Sequence, residues 1–139
     1  MHISRALLDE LLAHVLEDPA NEICGVVSVP DDGAPPEQTH ATAVHPAANK
    51  HLSPMKFEIE PAELLAMHDR IEERGARIGA IYHSHVRSPP YPSQTDINFA
   101  AGWPGVEWII VGLAGEGPPE VRSYLIDHGH IREVELQVP

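Results

Sequence analysis

The chain has 139 residues, 42% of them hydrophobic and 5% aromatic, which suits a single domain over 1–139 with its own buried core. The longest apolar run, Trp108 to Ala114, falls far short of the ~20 residues a membrane span requires, and Arg5, Asp9 and Glu10 interrupt the first leucines where a secretory signal would be unbroken, so a cytoplasmic location is expected. With 21 acidic residues against 9 basic ones, the formal charge of -12 leaves no stripe of Lys and Arg to hold phosphates, which excludes a nucleic-acid partner.

Ile3, Leu7, Leu8, Leu11, Leu12 and Val15 recur at helical spacing opposite Asp9, Glu10 and Glu17, which predicts an amphipathic first helix ending before Pro19. Cys24 to Val29 reads as a buried strand, Pro30 to Gln38 as a surface loop, and Thr39 to Val44 as a second strand. Cys24 is the single cysteine, so there is no internal disulfide, and it reads as a small core residue. Pro46 to Pro54 has no periodicity. A short extended segment, Lys56 to Ile59, leads to Pro61, which suits the first turn of a helix carried by Leu64, Leu65, Met67, His68 and Ile71 and stopped at Gly75.

Arg77 to Tyr82 is apolar and β-rich, a central strand that delivers His83 and His85 at its C-terminal end. Three prolines restrict the loop from Val86 to Pro92, after which Ser93 opens a third, short helix that Gly102 can terminate. Val106 to Gly112 and Glu120 to Ile126 read as strands, and Asp127-His128-Gly129-His130 supplies turn residues for a hairpin from Val121 to Val138. The expected class is α/β.

The chemistry concentrates between His83 and Asp96. His-x-His on an extended segment puts both rings on one face, where two imidazoles can grip one ion. Asp96, returning on the first turn of a helix, completes a three-ligand shell. The open fourth position then holds a water whose pKa falls to about 7 on zinc. Glu22, just ahead of the Cys24 strand, is the candidate general base, and Ser93 can donate to a developing oxyanion.

Glu22 in Asn-Glu-Ile-Cys-Gly, followed far downstream by His-Ser-His, seven residues, Ser, two residues and Asp, resembles the JAMM (MPN-plus) zinc metalloprotease family. The resemblance spans nearly the whole chain, including Phe57-Glu58-Ile59-Glu60-Pro61 at the entry to the second helix. It implies a mixed sheet flanked by helices, similar to the cytidine deaminase architecture. It also implies one catalytic zinc on His83, His85 and Asp96, with Glu22 as general base and Ser93 assisting the oxyanion. The implied activity is hydrolysis of a peptide or isopeptide bond after the C-terminal glycine of a ubiquitin-like protein. Tyr82-His83-Ser84-His85 with Tyr91-Pro92-Ser93 is most similar to small bacterial stand-alone members that release cysteine from a sulfur carrier of the ThiS and MoaD kind, ending in Gly-Gly. Removal of a short carrier extension is the next expectation, and a lysine conjugate the third. The carrier's tail would lie between the irregular segments 46–58 and 86–92, with Phe57 and Tyr91 as walls.

Plainer readings compete. Ser93-x-x-Asp96 is also an ordinary capping box, and a glutamate such as Glu22 is usually a solvated surface residue. His128-x-His130 repeats the spacing in a turn with no matching acid and reads as incidental. His40, His45, His51 and His68 read as surface or loop residues, and Trp103 and Trp108 as packing beneath the sheet. An inactive MPN-minus scaffold would lack ligands that this chain retains. A zinc deaminase needs a Pro-Cys-x-x-Cys pattern that one cysteine cannot supply.

Overall fold

The computed structural model describes residues 1–139. Its strands are β1 (Cys24–Pro30), β2 (Ala43–Ala47), β3 (Ala76–His85), β4 (Glu107–Gly112), β5 (Glu120–Asp127) and β6 (His130–Val134). They form one sheet in the order β2-β1-β3-β4-β5-β6, with β3 and β4 parallel and every other pair antiparallel. Helices α1 (Arg5–Val15), α2 (Pro61–Glu73) and α3 (Gln94–Ala100) cover it.

Covering on both faces explains the continuous apolar runs of β1, β3 and β4, since each alternate residue finds a core. On one face Val27, Val29, Ala80, Tyr82 and Ile109 pack with Leu11 and Val15 of α1. On the other, Val26, Ile81, Trp108 and Ile110 pack with Met67 and Ile71 of α2 and with Ala100 of α3. The alternation therefore sends His83 and His85 toward the α2/α3 side and Ser84 toward the α1 side.

Ser4 caps α1 by accepting from the Leu7 amide, and Pro61 opens α2 as expected. The second strand is displaced from 39–44 to Ala43–Ala47. It is an edge strand, where Pro46 forfeits no ladder bond on its open side. Lys56 to Ile59 forms no strand, because its backbone is tied to Lys50 and Asn49 rather than to a sheet neighbour. Leu65, expected on the buried stripe of α2, is exposed.

The hairpin turns through His128 (φ 49°) and Gly129 (φ 78°), two left-handed residues whose twist matches the flanking strands, and β6 ends at Val134. The exposed His128 ring lies 2.8 Å from Asp127 Oδ1. Trp108 is fully buried and Trp103 packs at the core margin. His45 is half-buried and bonded to Ser28 Oγ, so it is more than a loop residue.

Gly25 faces Tyr82 across the β1–β3 ladder, and a Cβ at that position would collide with the ring of this fully buried tyrosine, whose hydroxyl lies 2.6 Å from His14 Nδ1. Gly25→Ala is expected to destabilise the fold by about 1–3 kcal/mol, the usual range for an overpacked core. A denaturant midpoint unchanged from wild type would show that Tyr82 can move aside.

Candidate metal centre

Four side chains from three parts of the chain converge at the C-terminal end of β3. His83 and His85 come from the strand, Asp96 from the first turn of α3, and Glu22 from the residues that lead into β1. All four are buried, at 0%, 5%, 2% and 5% exposure respectively, which is an unusual environment for two carboxylates and calls for compensation.

The Nε2 atoms of the two histidines face each other at 3.1 Å. His83 Nε2 lies 3.2 Å from Asp96 Oδ1, and His85 Nε2 lies 3.5 Å from Asp96 Oδ2. Glu22, His83 and His85 each bring one donor atom within 4.8 Å of the others. His85 Nδ1 donates to the Pro89 carbonyl at 2.8 Å, which fixes the ring with Nε2 facing the centre. Phe57 stacks on the His83 ring at 4.3 Å and holds its plane, although His83 Nδ1 itself has no hydrogen-bond partner.

α3 is held in register by its own cap. Ser93 Oγ accepts from the Asp96 amide at 3.2 Å, and Asp96 Oδ2 accepts from the Ser93 amide at 2.8 Å. The capping box is therefore real, and it also aims the Asp96 carboxylate at the histidines. Ser93 is exposed and spends a lone pair on the cap, so its O–H proton stays available for donation.

The two carboxylates are driven apart electrostatically. Burial works to raise the Asp96 pKa, but the neighbouring His83 and the hydrogen bonds from both rings and the Ser93 amide outweigh it and hold Asp96 well below the usual carboxylate range. Burial raises Glu22 to about 7, with His85 opposing and Asp96 reinforcing the rise. Burial lowers His83, with Asp96 opposing. For His85 burial is outweighed by the bonds to Asp96 and Pro89, and its basicity rises. Burial pushes the Cys24 thiol up to about 12, consistent with a core residue and not a nucleophile.

Two contacts here have no signal in the sequence. Ser84 Oγ accepts from the Ile23 amide at 2.9 Å, fastening the chain beside Glu22 to β3. Asn49, buried within the stretch that lacks periodicity, donates to the Glu22 carbonyl at 3.1 Å.

Two imidazole nitrogens 3.1 Å apart, with carboxylates from Asp96 and Glu22 within reach, supply the N,N,O donor types that a divalent metal takes, so the residues fit a metal ion. Fold and centre together define a mixed-sheet α/β domain in which two histidines and two carboxylates gather in a buried group compatible with a metal ion. Residues 4–127 match the family model of prokaryotic homologs of the JAB domain, and the chain belongs to that family.

The chain is 30% identical over 132 residues to the CysO-cysteine peptidase of Mycobacterium tuberculosis (strain ATCC 25618 / H37Rv), covering 95% of this chain and 86% of that protein. It is 32% identical over 139 residues to a probable TtuB-protein conjugate cleaving protease of Thermus thermophilus, covering 99% of this chain and 82% of that one. Its fold is that of a JAB1/MPN domain protein from Archaeoglobus fulgidus, with a TM-score of 0.62 at 22% identity over 99% of this chain and 98% of that one.

Proposed function

We propose that residues 1–139 act as one zinc-dependent peptidase domain that cleaves the amide bond after the C-terminal glycine of a ubiquitin-fold sulfur carrier, releasing cysteine or a short extension. The observation that carries this reading is the opposed pair of buried carboxylates around two histidines: Asp96 kept ionised and Glu22 poised to exchange a proton near neutrality. The relative named as a CysO-cysteine peptidase supports the substrate class.

His83, His85 and Asp96 would hold the zinc, which when bound supplies a Lewis acid and an activated water at neutral pH. Glu22 accepts a proton from the attacking water and returns it to the leaving amine, a role suited to a carboxylate within reach of both histidines. The Ser93 hydroxyl donates to the oxygen that gains charge at the scissile carbonyl. No nucleophilic side chain is needed, so no acyl-enzyme forms. No helix is long and apolar enough to cross a membrane, and the reading places the chain in the cytoplasm, a compartment compatible with its unpaired Cys24.

The carrier's extended tail would run between the segments 46–58 and 86–92, the first of which begins within β2, since that strand extends to Ala47. Phe57 is not a wall of that groove, since it is buried against His83. Tyr91 is 56% exposed, packs edge-on against Tyr124, and rides on a loop whose Pro90 carbonyl accepts from the Tyr124 hydroxyl. Tyr91→Ala is expected to raise KM about 5-fold, the worth of roughly 1 kcal/mol, with metal content unchanged. Steady-state cleavage of the carrier reads it, and an unaltered KM removes Tyr91 from the substrate path.

The deciding experiment measures zinc content and hydrolysis of a carrier-cysteine adduct beside a Gly-Gly-extended carrier. One zinc with cleavage of either carrier substrate sustains the reading, and zinc without cleavage of either overturns the carrier assignment. The relative named for cleaving a protein conjugate favours a second reading, isopeptide cleavage from a lysine side chain, which a carrier-lysine conjugate tests in the same assay.

A further inference from the structure

Glu22 lies outside the β1 ladder, which begins at Cys24, so no ladder bond reaches its own N–H or C=O, and β3 holds the chain only from the next residue on, through the Ile23 amide on Ser84 Oγ. Both Glu22 groups are instead held by one loop. The Glu22 amide donates to the Ser53 carbonyl at 2.8 Å, and the Glu22 carbonyl accepts from Asn49 Nδ2 at 3.1 Å. Asn49 uses its whole side-chain amide: Nδ2 also donates to the Lys56 carbonyl at 3.0 Å, and Oδ1 accepts from the amides of His51 and Glu58, each at 3.1 Å. Two donors and two acceptors on one short planar group match this set, and aspartate, alanine and leucine do not.

Lys50 closes the neck of the same loop by donating to the Glu58 carbonyl at 2.8 Å. Phe57, on that loop, is the ring stacked on His83. A hydrogen-bonded side chain 8% exposed, 27 residues along the chain from Glu22, thus sets where the backbone of the proposed base sits.

We infer that Asn49 is a positioning residue for the hydrolytic reaction: its amide clamps the 49–58 loop and through it holds the Glu22 backbone at the distance from His83 and His85 that proton transfer needs. The inference rests on the proposed role of Glu22. Displacing a reacting group by about 1 Å costs on the order of 100-fold in rate, so a loosened Glu22 lowers kcat while the zinc ligands, which belong to β3 and α3, stay in place.

The test uses Asn49→Asp and Asn49→Ala in the zinc-loaded chain. Asn49→Asp keeps the acceptor toward His51 and Glu58 and loses the donors to Glu22 and Lys56, so it releases Glu22 while the Lys50–Glu58 backbone bond and the two bonds to Oδ1 still close the loop neck. Both variants are expected to keep one zinc and a KM within twofold of wild type, with kcat lowered at least about 10-fold. Amide hydrogen exchange supplies a readout independent of activity. The Glu22 amide should exchange at least about 10-fold faster, while the Ser84 amide, held by the Ile23 carbonyl at 3.0 Å, should not change.

Unchanged Glu22 exchange overturns the inference, as does kcat within twofold of wild type despite faster exchange. Loss of zinc or equal acceleration at Ser84 also overturns it, by making Asn49 a general structural residue. If the wild type itself cleaves no carrier, the proposed function has failed, and the exchange measurement still decides whether Asn49 holds Glu22.

Discussion

Glu22→Gln is expected to lower turnover by on the order of 100- to 10,000-fold, the usual worth of a general base, with zinc content at the wild-type level. The same change should make the metal-free protein more stable at pH 8. Burial raises the Glu22 pKa from 4.5 to about 7, so the folded state prefers the protonated acid more strongly than the unfolded chain does. The stabilising contribution of this group is fully present below pH 4.5, and it is lost as pH rises through about 7. Above that, the fold carries a partly screened buried anion at a cost on the order of 1–2 kcal/mol, which glutamine, of nearly equal shape and without charge, does not impose. Urea midpoints in the presence of a chelator at pH 5 and pH 8, with single-turnover cleavage of the zinc-loaded enzyme, measure both halves. A Gln variant that retained cleavage would remove Glu22 from the chemistry, and one that gained nothing at pH 8 would mean that the carboxylate finds water in the native state.

Asp96→Ala should weaken zinc binding more than about 100-fold, beyond the range seen for residues that merely support a ligand, and activity should disappear with it. Asp96 also closes the Ser93 capping box, so the substitution frees the Ser93 amide and destabilises α3 by about 1 kcal/mol. Its pH dependence runs opposite to that of Glu22. A carboxylate whose folded pKa is depressed stabilises the fold above its unfolded value, and that contribution is lost as pH falls through the folded one, so in strong acid the gap between wild type and Asp96→Ala should shrink to the contribution of the cap. Asp96→Asn keeps an oxygen for the Ser93 amide and loses the charge, which separates the cap from the ligand. Calorimetric zinc titration with guanidinium melts reads these effects. Wild-type zinc affinity in Asp96→Ala would transfer the third ligand to Glu22, the other carboxylate within reach of both histidines.

Local chemistry made much of this molecule readable in advance. The periodicity of α1, the Pro61 entry to α2, the Ser93 cap of α3 and the His128-Gly129 turn each depend on residues within a few positions of one another, and each formed. Elements whose state depends on distant partners were misread. Residues 39–44 have strand composition, but the edge of β1 selected 43–47 as its partner. Lys56 to Ile59 has the pattern of a strand, and Asn49 claimed its backbone first. Leu65 fits a helical stripe, but no neighbouring element covers it.

For the centre, the sequence by itself determined the inventory: two histidines on one face of a strand, a capped aspartate after a proline-stiffened loop, and a glutamate ahead of β1. Alternation and capping are short-range rules that survive in any fold. The different roles expected of Asp96 and Glu22 came from their places in the motif, and only the tertiary structure supplied a physical difference between them: donors surrounding Asp96 lower its carboxyl, while burial raises that of Glu22. Tertiary structure alone also gave Asn49, Ser84 and Phe57 their places, since hydrogen bonds and ring stacking join groups by distance in space, which spacing along a chain does not encode.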